Sequence, residues 1–305
     1  MSLRRIFLFF LVSLTVFIPT RSFAFSITPA LIDFLAPRGE TARGEFILLN
    51  TFEEEKTFYF DTLNFTSSET GSPIFSTDSQ KENLATWMSF PSSLTVAANS
   101  QSQISFSVLI PDDIPSGSYQ AAMTISEYPS EVVATNGATI QATVALLVFL
   151  TVEGEMTRQM AFLDATADFA NRLVSFPTGT VSYRVQNQGN IFLIPAGTLT
   201  IRDMFGRALY EQTLNVQQSR ILPGTTRTFT ENVLEPQSWK ELLKMQTQFW
   251  SIGPMTAEVT LHAEGQDATA FFSFWYLPWQ LASVVLGSLL AIWLCWHFLF
   301  RIKKS

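Results

Sequence analysis

Trp279 to Phe300 is an uncharged, apolar run of twenty-two residues, followed at once by Arg301, Lys303 and Lys304. As a helix rising ~1.5 Å per residue it measures ~33 Å, enough to cross a hydrocarbon core of ~30 Å. The other end of the chain reads as a secretory signal peptide, residues 1–24. Arg4 and Arg5 form a basic start, Ile6 to Pro19 an apolar stretch, and Ser22-Phe23-Ala24 sets small residues at a cleavage site. The two ends together predict a single-pass protein of the cell membrane with its N-terminus and folded domains outside. The span covers 279–300, and the basic residues of the tail, 301–305, stay in the cytoplasm. Trp275, Tyr276 and Trp279 suit the outer aromatic belt, and Trp293 and Trp296 the inner one.

Between these ends the charge is unevenly divided. Residues 25–155 hold 16 acids against only Arg38, Arg43, Lys56 and Lys81, a net of −12, whereas residues 156–279 hold 10 acids and 9 bases. A domain this acidic repels phosphate backbones and other anionic polymers over about a Debye length, so nucleic acid is not an expected partner. The densest acidic spots, Glu53-Glu54-Glu55 and Asp112-Asp113, sit at expected turns and read as solvated loops. The sole cysteine, Cys295, lies inside the apolar run, so the exported part holds no disulfide and must be stabilised by burial alone. That pattern tilts towards a bacterial envelope protein.

The exported chain reads as strands. In the first block these are Phe25 to Phe34, Gly44 to Leu49, Thr57 to Phe65, Ser102 to Ile110, Ser118 to Tyr128 and Ala138 to Val152. Alternation is strictest where Ile104, Phe106, Val108 and Ile110 face one way and Gln103, Ser105, Ser107 and Leu109 the other. Turn residues separate the strands, among them Pro37-Arg38-Gly39, Ala98-Asn99-Ser100 and Pro115-Ser116-Gly117. A second block repeats the style from Gln159 to Trp275, after a break at Glu153-Gly154-Glu155. Ser238-Trp239-Lys240-Glu241 is a capping box that opens a short helix over 238–246. The expected fold is all-β: two tandem immunoglobulin-like β-sandwiches, 25–155 (acidic, membrane-distal) and 156–277, plus one C-terminal transmembrane helix. Short antiparallel strands of this kind leave sheet edges open to hydrogen bonding.

No catalytic constellation emerges. The two histidines are His262, in a strand, and His297, in the apolar run, and neither HExxH nor CxxC occurs. No glycine-rich phosphate loop precedes a helix. The sequence therefore assigns no catalytic, cofactor or metal residue and no cofactor, expects no small-molecule substrate, and leaves the binding residues unassigned. The expectation is of a protein that is not an enzyme.

One stretch of the second block is more specific. It runs Val185-Gln186-Asn187-Gln188-Gly189-Asn190, Pro195-Ala196-Gly197, Arg202-Asp203-Met204-Phe205-Gly206, and Ile221-Leu222-Pro223-Gly224-Thr225-Thr226-Arg227. The order of an N-x-G-N turn, P-x-G, a D-x-x-G turn and L-P-G-[ST]-x-R resembles the second domain of the bacterial WxL-interacting surface proteins (the DUF916 family and relatives). Phe274-Trp275-Tyr276-Leu277-Pro278-Trp279 before the span is similar to that group as well. Ile27-Thr28-Pro29 and Pro115-Ser116-Gly117-Ser118-Tyr119 are similar to its first domain and, more loosely, to pilus-chaperone sandwiches. The resemblance implies a Gram-positive-type surface protein. Its first domain would be associated with peptidoglycan and its second with another surface, secreted or host protein. Physically the motifs are turns: Gly189-Asn190 and Phe205-Gly206 are expected to supply positive φ, and Pro223-Gly224 a type II turn. The functional expectation is a membrane-anchored protein that binds or displays an envelope or extracellular component. The alternative is a tethered assembly factor for surface fibres that works by β-strand addition.

Overall fold

A computed structural model describes residues 24–76, 83–129, 142–169, 179–263 and 266–302. The signal-peptide reading, apart from Ala24, falls outside the described residues, as do Lys303 and Lys304 of the tail.

The first sandwich contains β1 (Phe25–Thr28), β2 (Leu31–Ala36), β3 (Thr41–Asn50), β4 (Lys56–Ser67), β5 (Pro73–Ser76), β6 (Met88–Ser89), β7 (Ser93–Val96), β8 (Ser100–Leu109), β9 (Gly117–Ser126) and β10 (Thr143–Val152). A single turn of helix, α1 (Leu84–Trp87), precedes β6. One sheet has the order β1-β3-β8-β6, and the other β2-β10-β9-β4-β5 with β7 also on β4. The inner faces meet in a core that includes Phe46, Phe58, Ile104, Phe106, Met123 and Leu150. The alternation expected in β8 is present: Ile104, Phe106 and Val108 are buried while Leu109 is 61% exposed.

The stretch expected as one strand, Phe25 to Phe34, is two. β1 pairs antiparallel with β3, whereas β2 crosses to the other sheet and pairs in parallel with β10, Leu31 opposite Leu147 through Ala36 opposite Val152. Pro29 sits at the crossing and has no N–H to continue the first ladder. Among the described residues the sandwich is thus antiparallel except for this one pair. β5, β6, β7 and α1 are additions to the expected elements, each too short to show a period. The strand expected from Ala138 begins at Thr143 among the described residues.

The second sandwich contains β11 (Met160–Phe169), β12 (Gly179–Asn187), β13 (Ala196–Arg202), β14 (Ala208–Leu214), β15 (Thr226–Val233), β16 (Gly253–Ala263) and β17 (Gln266–Tyr276). Its sheets are β11-β12-β15 and β14-β13-β16-β17. Tyr183 stacks on Phe229 at 5.0 Å in the core, beside Val185, Leu199, Ile201 and Val259. Burial, and secondarily Glu231, pushes the Tyr183 hydroxyl well above the usual phenol range.

The helix opened by Ser238 is α2 (Trp239–Gln248), two residues longer than read. Only half of the expected capping box forms. Ser238 Oγ accepts from the Glu241 N–H at 3.3 Å. The Glu241 carboxylate accepts from Gln237 N–H at 2.9 Å, one residue before the cap.

The registers give the second sandwich two poles. Met160 opposes Asn187, and Ala196 opposes His262, at one pole. Arg202 opposes Thr256, and Gly253 opposes Tyr276, at the other. The first sandwich contacts the first pole. From the second, after Leu277 and Pro278, the chain enters α3 (Trp279–Ile302). The apolar stretch Trp279–His297 is long enough to cross a membrane, and none of it is buried against the fold.

Candidate functional site

The described residues contain no group of three or more His, Cys, Asp or Glu placed to hold a metal ion. His262 Nδ1 and Asp267 Oδ1 are 2.6 Å apart on the β16–β17 hairpin, and both side chains are more than half exposed. A water-exposed pair of this kind has no walled cleft in which to act, which leaves the domain junction and the sheet edges as candidate surfaces.

The junction gathers motifs that lie far apart in the chain. Asn187 is buried; its Nδ2 donates to the carbonyls of Ile191 at 2.7 Å and Ile221 at 3.0 Å, and its Oδ1 accepts from Gly189 N–H at 2.9 Å. Gly224 N–H donates to Asn187 O at 3.0 Å, so the N-x-G-N and L-P-G-T turns lock each other. The turn at Pro223-Gly224 is as expected: Gly224 has φ +71° and Thr225 N–H returns to Leu222 O at 3.1 Å. Gly189 is not. It has no positive φ; it is required because a Cβ there would lie 2.2 Å from Thr157 O.

Asn190 then carries the lock across to the first sandwich. Its Nδ2 donates to Ser116 O and Glu155 O, both at 3.0 Å, and its backbone carbonyl accepts from Ser118 N–H at 2.8 Å. Gly117, at φ +149°, lets that carbonyl approach, since a Cβ would sit 2.7 Å from it. Thr228 N–H donates to Glu69 O at 2.6 Å on the other side. Between these polar contacts Phe65, Ala122 and Phe149 of the first sandwich enclose Leu222 of the second, with Phe192 packed against them. Arg220 caps the cluster. Its guanidinium lies 4.8 Å from the Phe149 ring centroid and is paired with both carboxylate oxygens of Asp33. The Asp33 hydrogen bond raises the Arg220 pKa, against burial.

Fully burying one such side chain is worth ~1.5–3 kcal/mol. The exposed Arg184–Glu69 pair adds little by comparison. Apolar burial and backbone bonds therefore hold the junction, and the two sandwiches form one arm.

The D-x-x-G motif lies at the opposite pole, just past the Arg202–Thr256 pair. Asp203 is nearly inaccessible, and burial alone would raise its pKa. The N–H groups of Arg207 and Phe205 and the Arg207 guanidinium outweigh that and hold it below the usual carboxylate value. Gly206 has the expected positive φ.

One surface of the distal sandwich open to a protein partner is the edge of β8. β6 covers only Ser107 and Val108 of it. Ile110 N–H donates to Glu40 O on the β3 side, so by strand alternation the N–H and C=O of Gln101, Gln103 and Ser105 point away from β3. No strand pairs with them there among the described residues. Their side chains lie on the exposed face, where Gln103 Nε2 donates to Glu45 at 2.5 Å. An open groove of about 760 Å³ runs beside this edge, lined by Arg43, Glu45, Phe90, Pro91 and Ser105. Sequence reasoning anticipated open edges as a class, but that the β8 edge stays open beyond Ser107 depends on the two-residue length of β6.

No family model and no curated protein matches this sequence. Several solved structures are similar in fold. The class 5 fimbriae chaperone CfaA is 10% identical over 83% of this chain and 100% of its own, with a TM-score of 0.40. The E. coli chaperone DraB is 10% identical over 82% and 97%, TM-score 0.37. A chain of the Salmonella enterica SafA pilin–SafB chaperone complex is 12% identical over 84% and 98%, TM-score 0.36. At this distance the likeness concerns the fold alone.

Proposed function

We propose that this is a non-enzymatic, membrane-anchored surface protein that holds a rigid two-sandwich arm outside the cell and binds another exported protein through the distal sandwich. The observation that carries the reading is the pole-to-pole order. α3 leaves the second sandwich opposite the junction, with its apolar length unpacked, so anchoring it in a bilayer projects the acidic sandwich furthest from the lipid. The motif resemblance supports a partner of the secreted WxL type; by itself it would seat that partner on the second sandwich and peptidoglycan on the first, and it is the charge that moves the proposal to the first. A net of −12 over residues 25–155 favours a basic protein over an anionic wall polymer.

The second reading, an assembly factor that lends a strand edge to fibre subunits, draws its support from the open edge at Gln101, Gln103 and Ser105. One experiment addresses both. A photo-crosslinking residue at Leu109, on the exposed face of β8, should trap an exported protein in intact cells, and the yield should fall as salt rises. No adduct from this face would contradict partner binding by the distal sandwich. Gln103→Pro removes an edge N–H that the β3 ladder does not use. Loss of the adduct in that variant assigns binding to strand addition, and its retention assigns it to the sheet face.

A further inference from the structure

The pole from which α3 departs presents exposed apolar side chains from four separate segments. These are Met204 and Phe205 in the D-x-x-G turn, Trp239 at the start of α2, Trp250 and Ile252 before β16, and Trp275 at the end of β17. Phe205 is 83% exposed. An aromatic held at the tip of a tight turn cannot fold back onto its own domain, and this turn is held firmly. Asp203 accepts from the N–H groups of Phe205 at 3.0 Å and Arg207 at 2.9 Å, and Arg207 donates to Trp250 O at 2.6 Å. Met204 Sδ lies against Gly253, where a Cβ would be 3.1 Å from it. Gly253 and Pro254 in turn pair with Tyr276 and Trp275.

α2 is tied to α3 itself. The Gln246 side chain, fully buried, donates to Gln280 Oε1 at 2.7 Å and accepts from Leu281 N–H at 3.0 Å. Lys240 and Lys244 stand on α2, Lys240 lying 5.9 Å over the Trp239 ring. Of the acids nearby, Asp203 is paired with Arg207 and Glu241 is bonded to Gln237 N–H, while Glu235 on the loop before α2 is exposed. Tryptophan, large aliphatics and lysine on one fixed surface is the composition of a water–lipid interface. Soluble surfaces seldom expose it in one contiguous patch.

We propose that this pole is a lipid-docking face. It seats Met204, Phe205, Trp239, Trp250 and Trp275 in the headgroup layer of the leaflet that α3 enters, with Lys240 and Lys244 turned to anionic headgroups. The occupant is the bilayer rather than another protein, because the face is continuous with α3 through the Gln246–Gln280 contact and carries cations free to meet phosphate. The inference rests on α3 being a membrane span. Docking would fix the tilt of the arm, which a single helix after a Leu277-Pro278 link would leave free.

The test uses the full chain reconstituted in phosphatidylcholine vesicles containing a minor share of phosphatidylglycerol. An environment-sensitive fluorophore is placed at Phe205→Cys or at Leu109→Cys, each with Cys295→Ala, or on native Cys295. Nitroxide lipids labelled near the top of the acyl chain, or deep within it, act as quenchers. Docking predicts strong shallow quenching at 205, quenching by lipid-borne nitroxide at 295 and none at 109. Adding Trp250→Ser, Lys240→Glu and Lys244→Glu should reduce quenching at 205 several-fold and leave 295 unchanged. A label at 205 as water-exposed as one at 109, with 295 still quenched, overturns docking while the span stands. An unquenched 295 overturns the span, and docking with it.

Discussion

Replacing Phe106 with aspartate should unfold the first sandwich. Phe106 is buried at the centre of its core, 6.0 Å from Phe34 and 6.4 Å from Phe46 by ring centroids. Truncating such a ring costs ~3–5 kcal/mol, and an unpaired buried carboxylate adds several more. The sum is comparable to the whole stability of a domain, ~5–15 kcal/mol. Leu109→Asp, three residues on but on the exposed face, should change stability by no more than ~0.5 kcal/mol. Hydrogen exchange on the full chain separates the outcomes. In the Phe106 variant the amides of β3, β8 and β9 should lose protection while those of β13 and β16 keep theirs. Equal protection in the two variants would mean that the faces of β8 are wrongly assigned.

Leu289→Lys should release part of the protein from the membrane. Leu289 lies midway along α3 and is exposed on its surface, with no fold to hide a charge. Lysine at the centre of a span costs ~2.5–3.5 kcal/mol on insertion scales, and the leucine it replaces contributes favourably. Each ~1.4 kcal/mol is tenfold in an equilibrium, so the shift from pellet to medium should be visible by simple fractionation. Leu49→Lys, on the exposed face of the first sandwich, serves as the control and should leave partitioning unchanged. An unaltered membrane fraction for Leu289→Lys would argue that α3 is not held by lipid.

What could be read from the sequence was local. Period-two alternation located β8, and the Ser238 cap located α2, because neighbours along the chain decide both. The partner of β2 could not be read: Leu31–Ala36 is apolar apart from Asp33 and carries no mark of the sheet it joins, and only the crossing at Pro29 delivers it to β10 in parallel. The junction was equally hidden. Asn190 and Arg220 look like turn and surface residues until the second sandwich is set against Phe149, and no periodicity encodes that contact. Gly189 shows the limit of turn chemistry, since the glycine answers a steric demand from Thr157 rather than a demand on φ. Phe205 did leave a signal: an aromatic inside a tight D-x-x-G turn has no neighbour under which to fold.

An arm displayed outside the cell on a single span requires the two ends of the chain to lie on opposite sides of the membrane. Single cysteines at Gln103 and at Ser305, each with Cys295→Ala, can be treated in intact spheroplasts with a membrane-impermeant maleimide. The thiol at 103 should react at once, and the thiol at 305 only after the membrane is opened. A reactive 305 with a protected 103 would contradict that arrangement.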